Sequence, residues 1–171
     1  MKKLILSICI AASLWSCGND DDGGQDSSVF PKNEQPENII VSPSFDTSLL
    51  VGSWTYDTLS VDGGTPQEYA HNESCERDLF LFYNEEGKIN DYSELLFTGE
   101  ACTTTNTGLT WFVNGNEVAL YLGNTRILIY DMITLNDTTI SFETVLDLNQ
   151  DGDNETVVVT GYRYDPFFLF E

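Results

Sequence analysis

The chain has 171 residues, with 28 acidic and 7 basic side chains and a formal charge of −21 at pH 7. That length suits one domain with a sizeable core. Apart from the adjacent Lys2 and Lys3, the basic residues are scattered singly, so the chain carries no footprint for nucleic acid and its surface repels anionic headgroups.

The first segment is built for export. Lys2 and Lys3 precede the apolar stretch Leu4 to Leu14, which is too short to span a bilayer, and small Ser16 precedes Cys17. The run Leu14-Trp15-Ser16-Cys17 resembles the end of a bacterial lipoprotein signal, in which the Cys is lipidated and becomes the first mature residue. That resemblance implies a signal peptide over residues 1–16 and a membrane anchor at Cys17, carrying palmitate-type acyl chains. It also implies an outer-membrane lipoprotein facing the periplasm or the cell surface.

Residues 17–45 read as the lipidated Cys followed by a flexible acidic tether. Six acids stand against Lys32, and Pro31, Pro36 and Pro43 interrupt any helix. Such a chain spans on the order of 30 Å. Gly18-Asn19-Asp20-Asp21-Asp22 resembles the acidic export signal of Bacteroidota surface lipoproteins. A solvated linker is the alternative.

From residue 46 the chain reads as strand after strand. Asp46 caps a short helical turn over Thr47 to Leu50. Strands follow over Gly52–Val61, Asp78–Tyr83, Lys88–Phe97 (after a Glu85-Glu86-Gly87 turn) and Leu109–Val113. Asn114-Gly115 then predicts a two-residue type I′ turn into Glu117–Leu122. Arg126–Leu135, Thr139–Leu148 and Glu155–Tyr164 complete eight strands. In Thr139–Leu148 the alternation is plain, with Ile140, Phe142, Leu146 and Leu148 on one face. The expected fold is all-β: an eight-stranded antiparallel up-and-down meander, residues 46–171, closing into a barrel that leaves no free edge. A β-sandwich is the alternative, and the gap Gly99 to Gly108 is the one stretch long enough for its crossover.

The helical turn leading into Gly52-Ser53-Trp54 resembles the Gly-x-Trp opening of lipocalins. About eight strands follow and two Cys lie mid-domain, as in the lipocalin-like domain of Bacteroidota lipoproteins. The resemblance implies that Trp54 closes the barrel base, with Arg163 of the last strand across its ring, and that the interior holds a small apolar or amphipathic ligand. The plainer reading makes Trp54 a core aromatic and Arg163 a solvated charge. Trp111, Phe112, Phe142, Tyr162 and Phe168 are candidates to line a pocket or to fill a core. The tail Asp165 to Glu171 is apolar where animal lipocalins carry a helix, and reads as a further strand or a lid.

Cys9 leaves with the signal and Cys17 takes the lipid. In an oxidising envelope Cys75 and Cys102 are expected to pair, stabilising the fold by about 3–4 kcal/mol; two buried free thiols are the alternative. With His71 they are too few for zinc. Asp147, Asn149, Asp151, Asp153 and Glu155 begin like a calcium loop, with Gly152 for the sharp turn. Val158 stands where an EF-hand needs its bidentate Glu, and the flanks are strands. A simple calcium loop and an ion-free acidic hairpin both remain open. Asp57-Thr58-Leu59 and Asp137-Thr138-Thr139 resemble a Bacteroidota O-glycosylation pattern. No nucleophile motif, metalloprotease motif or phosphate loop occurs, so binding is expected rather than catalysis. The rival to a ligand-holding barrel is a filled one whose loops bind a glycan or a protein partner.

Overall fold

A computed structural model describes residues 41–84 and 90–166. The signal peptide, Cys17, the tether up to residue 40, the Glu85-Glu86-Gly87 turn with Lys88, and the tail from Phe167 lie outside the described residues.

A 3-10 turn (Thr47–Leu49) precedes nine strands: β1 (Gly52–Val61), β2 (Gln67–Glu68), β3 (Leu79–Tyr83), β4 (Asp91–Thr98), β5 (Thr103–Asn114), β6 (Glu117–Leu122), β7 (Thr125–Leu135), β8 (Thr139–Leu146) and β9 (Glu155–Arg163). Asp46 caps the turn as expected, its Oδ1 accepting from the Ser48 N–H at 2.9 Å. Every strand from β3 to β9 pairs antiparallel with the next. β9 then pairs with β1, from Trp54↔Arg163 to Val61↔Val157, and closes the sheet. The first part of β1 pairs with β3 and its later part with β2, so β2 is a two-residue addition along one seam of an eight-stranded barrel. Closure removes the sandwich alternative.

At one end, the base, lie the start of β1, the β5–β6 and β7–β8 turns and the end of β9. At the other, the mouth, lie β2, the β4–β5 and β6–β7 turns and the β8–β9 loop. Residues at the end of the predicted tether are held on the base: the Gly115 N–H donates to the Val41 carbonyl at 3.1 Å, and the Ser44 N–H to the Gly115 carbonyl at 2.9 Å.

Three details differ from the sequence reading. β5 begins at Thr103, not Leu109, so the expected gap shrinks to a turn over Gly99–Cys102. Thr103 to Asn106 are exposed, and a strand polar on both faces shows no alternation. The β5–β6 hairpin pairs Asn114 with Glu117, which makes Gly115-Asn116 the central pair. Only Gly115 (φ 60°) has a positive φ there, the pattern of a type II′ turn rather than type I′. β1 carries a bulge at Asp57, between Tyr56↔Gly161 and Thr58↔Thr160. The extra residue shifts the inward phase, so Trp54 and Tyr56 point to the core before it and Leu59 after it.

The core is aromatic. Trp54, Tyr56, Phe80, Phe82, Tyr92, Trp111, Tyr130 and Phe142 are buried with Ile140, Leu120, Val157 and Val159.

Candidate ligand site in the barrel lumen

The base is closed by one joint. Arg163 lies over the Trp54 ring with Cζ 3.9 Å from the centroid. Its Nη1 donates to the Val51 carbonyl and its Nη2 to the Leu49 carbonyl, both at 2.7 Å. The Trp54 indole N–H donates to the Leu50 carbonyl at 2.9 Å. Gly52 is required twice over: its φ is +128°, and a Cβ there would stand 2.4 Å from Arg163 Nη1. Partial burial lowers the Arg163 pKa from its ordinary value, and the Asp137 carboxylate opposes that shift. The Gly52, Trp54 and Arg163 expected at the base are thus brought together.

Inside, the wall alternates as the pleat demands, and Tyr92, Glu94 and Leu96 of β4 face the lumen. Glu94 is 2% exposed. Its Oε1 accepts from the Tyr56 hydroxyl. The Tyr92 and Tyr130 hydroxyls bond each other at 3.0 Å. Tyr130 stacks on Phe142 with centroids 4.0 Å apart, and Phe80 meets Phe142 edge-on at 5.9 Å. These contacts join β1 to β4, β4 to β7 and β3 to β8 across the interior. Burial pushes the Glu94 carboxyl up to about 7; the Tyr56 hydrogen bond pulls it down and the Asp78 charge adds to the rise. Burial and the Glu94 charge together raise the phenols of Tyr56 and Tyr130 far above their usual range.

Toward the mouth a second buried acid is fully engaged. Asp78 accepts from the Tyr69 hydroxyl at 2.8 Å and from the Phe97 N–H at 2.6 Å. Tyr69 stacks on Tyr56 at 4.7 Å, linking the two acids through aromatic rings. The His71 Nδ1 accepts from the Asp78 N–H at 3.1 Å, so its Nε2–H donates to the Tyr56 carbonyl at 2.9 Å. Burial is the main cause of its lowered pKa. Cys75 and Cys102 are bridged, Cα atoms 5.4 Å apart, pinning this segment to the β4–β5 turn.

The acidic β8–β9 loop is folded around its own amides. Asp147 Oδ1 accepts from the Asp151 N–H at 3.1 Å and Oδ2 from the Gly152 N–H at 3.0 Å. Asn149 Oδ1 also accepts from the Asp151 N–H, and Asp151 Oδ1 from the Asp153 N–H. Glu155 accepts from the Leu148 N–H and the Asn149 side-chain amide. Among the described residues no three acidic, His or Cys side chains gather as a cation site. Of the expected ligand set, Asp147, Asn149, Asp151 and Glu155 are held in one loop by hydrogen bonds to backbone amides and, for Glu155, to the Asn149 side chain.

Of the aromatics proposed for a pocket, Trp111 and Phe142 are buried in the core. Phe112 is 51% exposed, because it stands one residue out of phase with Trp111, and Arg77 covers the Tyr162 ring. Phe168 lies outside the described residues. Thr138 sits exposed in the β7–β8 turn, while Thr58 is held in the β1 ladder. The sequence reading missed Glu94, Asp78 and the tyrosines around them. The available signal was phase, since Glu94 shares the parity of Tyr92 and Leu96.

No protein-family model matches this sequence, and no curated protein matches it. Among solved structures the chain is similar to Per a 4, a major allergen from cockroaches, with a TM-score of 0.51, 11% identity and 76% of each chain covered. It is also similar to bovine odorant binding protein complexed with its natural ligand, with a TM-score of 0.41 and 10% identity over 73% of this chain and 77% of that one. At such identity the likeness concerns fold. The fold is a closed, lipocalin-like, eight-stranded β-barrel.

Proposed function

We propose that this chain is an outer-membrane lipoprotein, anchored through Cys17, whose barrel binds a small apolar or amphipathic molecule. The observation that carries the reading is Glu94. A carboxyl buried among aromatic rings costs stability and adds nothing to packing that Leu would not give. Ligand sites are mostly apolar with a few placed polar groups, and the lumen has that composition. The ligand's apolar body would displace the Tyr130–Phe142 stack and its polar end would meet Glu94 and the tyrosine hydroxyls. The anchor rests on the signal-like run ending at Cys17. The acidic run after it supports a surface address.

Catalysis is the weaker class. Glu94 has the raised pKa of an acid–base catalyst, yet it is 2% exposed and its carboxyl is engaged by the Tyr56 hydroxyl. A second binding reading is favoured by the contacts that cross the lumen: the barrel stays filled and its loops bind a glycan or a protein partner. Native mass spectrometry of the chain extracted from its envelope in mild detergent separates the two. Extra mass lost on denaturation and recovered in organic extract supports a carried ligand. The bare lipidated mass, with no uptake of an apolar fluorescent probe, supports the filled barrel. An intact mass without acyl chains removes the anchor.

A further inference from the structure

One hydroxyl inside the barrel has nothing to bond. Thr144 of β8 stands opposite the core residue Val157 of β9, two residues on from Phe142, so it shares the inward face of its strand. It is 3% exposed, and among the described residues its Oγ1 has no hydrogen-bond partner. The other buried Ser and Thr hydroxyls, of Thr55, Ser60 and Ser141, each donate to a carbonyl. A buried hydroxyl left unpaired costs free energy that a bound ligand would recover.

Tyr130 connects this hydroxyl to Glu94. Asp131 pairs with Glu143, and the next residues mouthward on the two strands are Tyr130 and Thr144, both buried. The Tyr130 ring stacks on Phe142, and its hydroxyl bonds that of Tyr92, which lies two residues before Glu94 on the inward face of β4. A ligand that moves this ring aside opens onto Thr144 on one side and Glu94 on the other. Glu94 has no cation. Among the described residues it makes no ion pair. Arg163 is committed to the Trp54 ring and two carbonyls, Arg77 lies over the Tyr162 ring, and Arg126 stands exposed at the start of β7. The rings near Glu94 are those of Tyr56, Tyr92 and Tyr130, and aromatic faces attract a cation.

We propose that the lumen ligand is a cationic arylalkyl amine with a second polar group, an inference that rests on the ligand-holding reading of the barrel. The ammonium pairs with Glu94 against the tyrosine faces. The aromatic body takes the place of the Tyr130 ring on Phe142, and the second polar group meets the Thr144 hydroxyl. An anionic amphiphile would set its charge against Glu94 and Asp78. The chain's formal charge of −21 likewise draws cations toward the mouth and repels anions.

Calorimetric titration of the full chain with tyramine tests it. Para-ethylphenol has the same ring without the ammonium, para-hydroxyphenylpropanoate carries the opposite charge, and phenethylamine lacks the hydroxyl. Tyramine should bind one to one and at least tenfold more tightly than para-ethylphenol, and the propanoate should give no saturable heat. Glu94→Gln keeps an acceptor for Tyr56; it should bring tyramine down to the para-ethylphenol level and still bind para-ethylphenol. Thr144→Val keeps the shape and removes the hydroxyl; it should weaken tyramine severalfold and leave phenethylamine unchanged. Equal affinity for tyramine and para-ethylphenol overturns the proposal while leaving an apolar lumen site standing. Tyramine binding unchanged in Glu94→Gln also overturns it and moves the amine to the surface acids, and tyramine binding unchanged in Thr144→Val overturns the placement of the second group. Failure of every probe, an apolar fluorescent one included, overturns the ligand-holding reading itself.

Discussion

Arg163 and Trp54 are paired twice: as neighbours in the β1–β9 ladder and through the guanidinium lying 3.9 Å over the indole. The same guanidinium binds the Val51 and Leu49 carbonyls, so one side chain joins the last strand, the first strand and the turn before it. Arg163→Lys keeps the charge and loses the fork that serves both carbonyls at once. Hydrogen bonds to a charged donor contribute about 1.5–3 kcal/mol and a cation–π contact about 0.5–2 kcal/mol. Arg163→Lys should cost about 2 kcal/mol in urea unfolding and Arg163→Ala about 3 kcal/mol or more. Gly52→Ala should cost at least as much as Arg163→Lys, because it strains the backbone and pushes the guanidinium away. Losses below about 0.5 kcal/mol for all three would mean that the base is held elsewhere.

Glu94 gives the fold a pH dependence with a definite sign. Its folded pKa is raised to about 7, so between the ordinary carboxylate pKa and 7 the folded chain holds a proton that the unfolded chain has released. This contribution to stability is full below about pH 4.5, falls as pH rises and is lost above about 7. Glu94→Gln keeps an acceptor for Tyr56 and removes the titration. It should be more stable than the parent by on the order of 2–3 kcal/mol at pH 8, and near equal at pH 4.5. His71 acts oppositely. Its pKa is lowered on folding, so its share of stability is full above the ordinary His value of 6.5 and is lost as pH falls below it toward the lower folded pKa. Urea titrations of parent and variant from pH 4.5 to 8 check this. A constant difference between them would show that Glu94 does not titrate in that window.

Much of the wall was legible in the sequence, because β1 and β8 each carry one mainly apolar face and the turns carry Gly, Asn or Asp. The joint at Gly52, Trp54 and Arg163 came from family resemblance rather than from spacing. Glu94 escaped because β4 has apolar residues on both parities: Tyr92 and Leu96 inside, Leu95 and Phe97 half-covered outside. With no clean alternation, a Glu in such a strand reads as the solvent face. Thr144 escaped for a different reason. It shares the parity of Ile140, Phe142 and Leu146, and an alternation traced by apolar residues passes over a Thr. β2 has no sequence signal at all, being two exposed polar residues.

The Cys75–Cys102 bridge ties the segment carrying His71 and Asp78 to the β4–β5 turn, and closes 27 residues. A loop of that size stabilises by about 3–4 kcal/mol on the chain-entropy account. Cys75→Ala with Cys102→Ala should lower stability by that order. Hydrogen exchange should rise first at the mouth, around the Tyr69–Asp78 contact, and least at the base. Intact mass should increase by two protons on reduction. An even loss of protection over the barrel would mean that the bridge acts through the unfolded chain alone.

The β8–β9 loop tests whether its acids serve the backbone or a metal. Asp147 accepts from two successive-turn amides, of Asp151 and Gly152, and Glu155 holds the Leu148 N–H at 2.8 Å from the other side. Removing a side-chain cap of this kind costs about 0.5–2 kcal/mol. Asp147→Ala should therefore destabilise by about 1 kcal/mol in calcium-free buffer, where a purely metal-binding residue would have no effect or a stabilising one, through relief of repulsion. The acids of this loop already satisfy backbone donors without an ion, so their placement needs no metal. Titration of the parent with calcium should accordingly give no saturable heat in the micromolar range and no rise in melting temperature. Saturable heat that disappears in Asp147→Ala would show instead that the loop holds the ion through Asp147 while its backbone bonds persist.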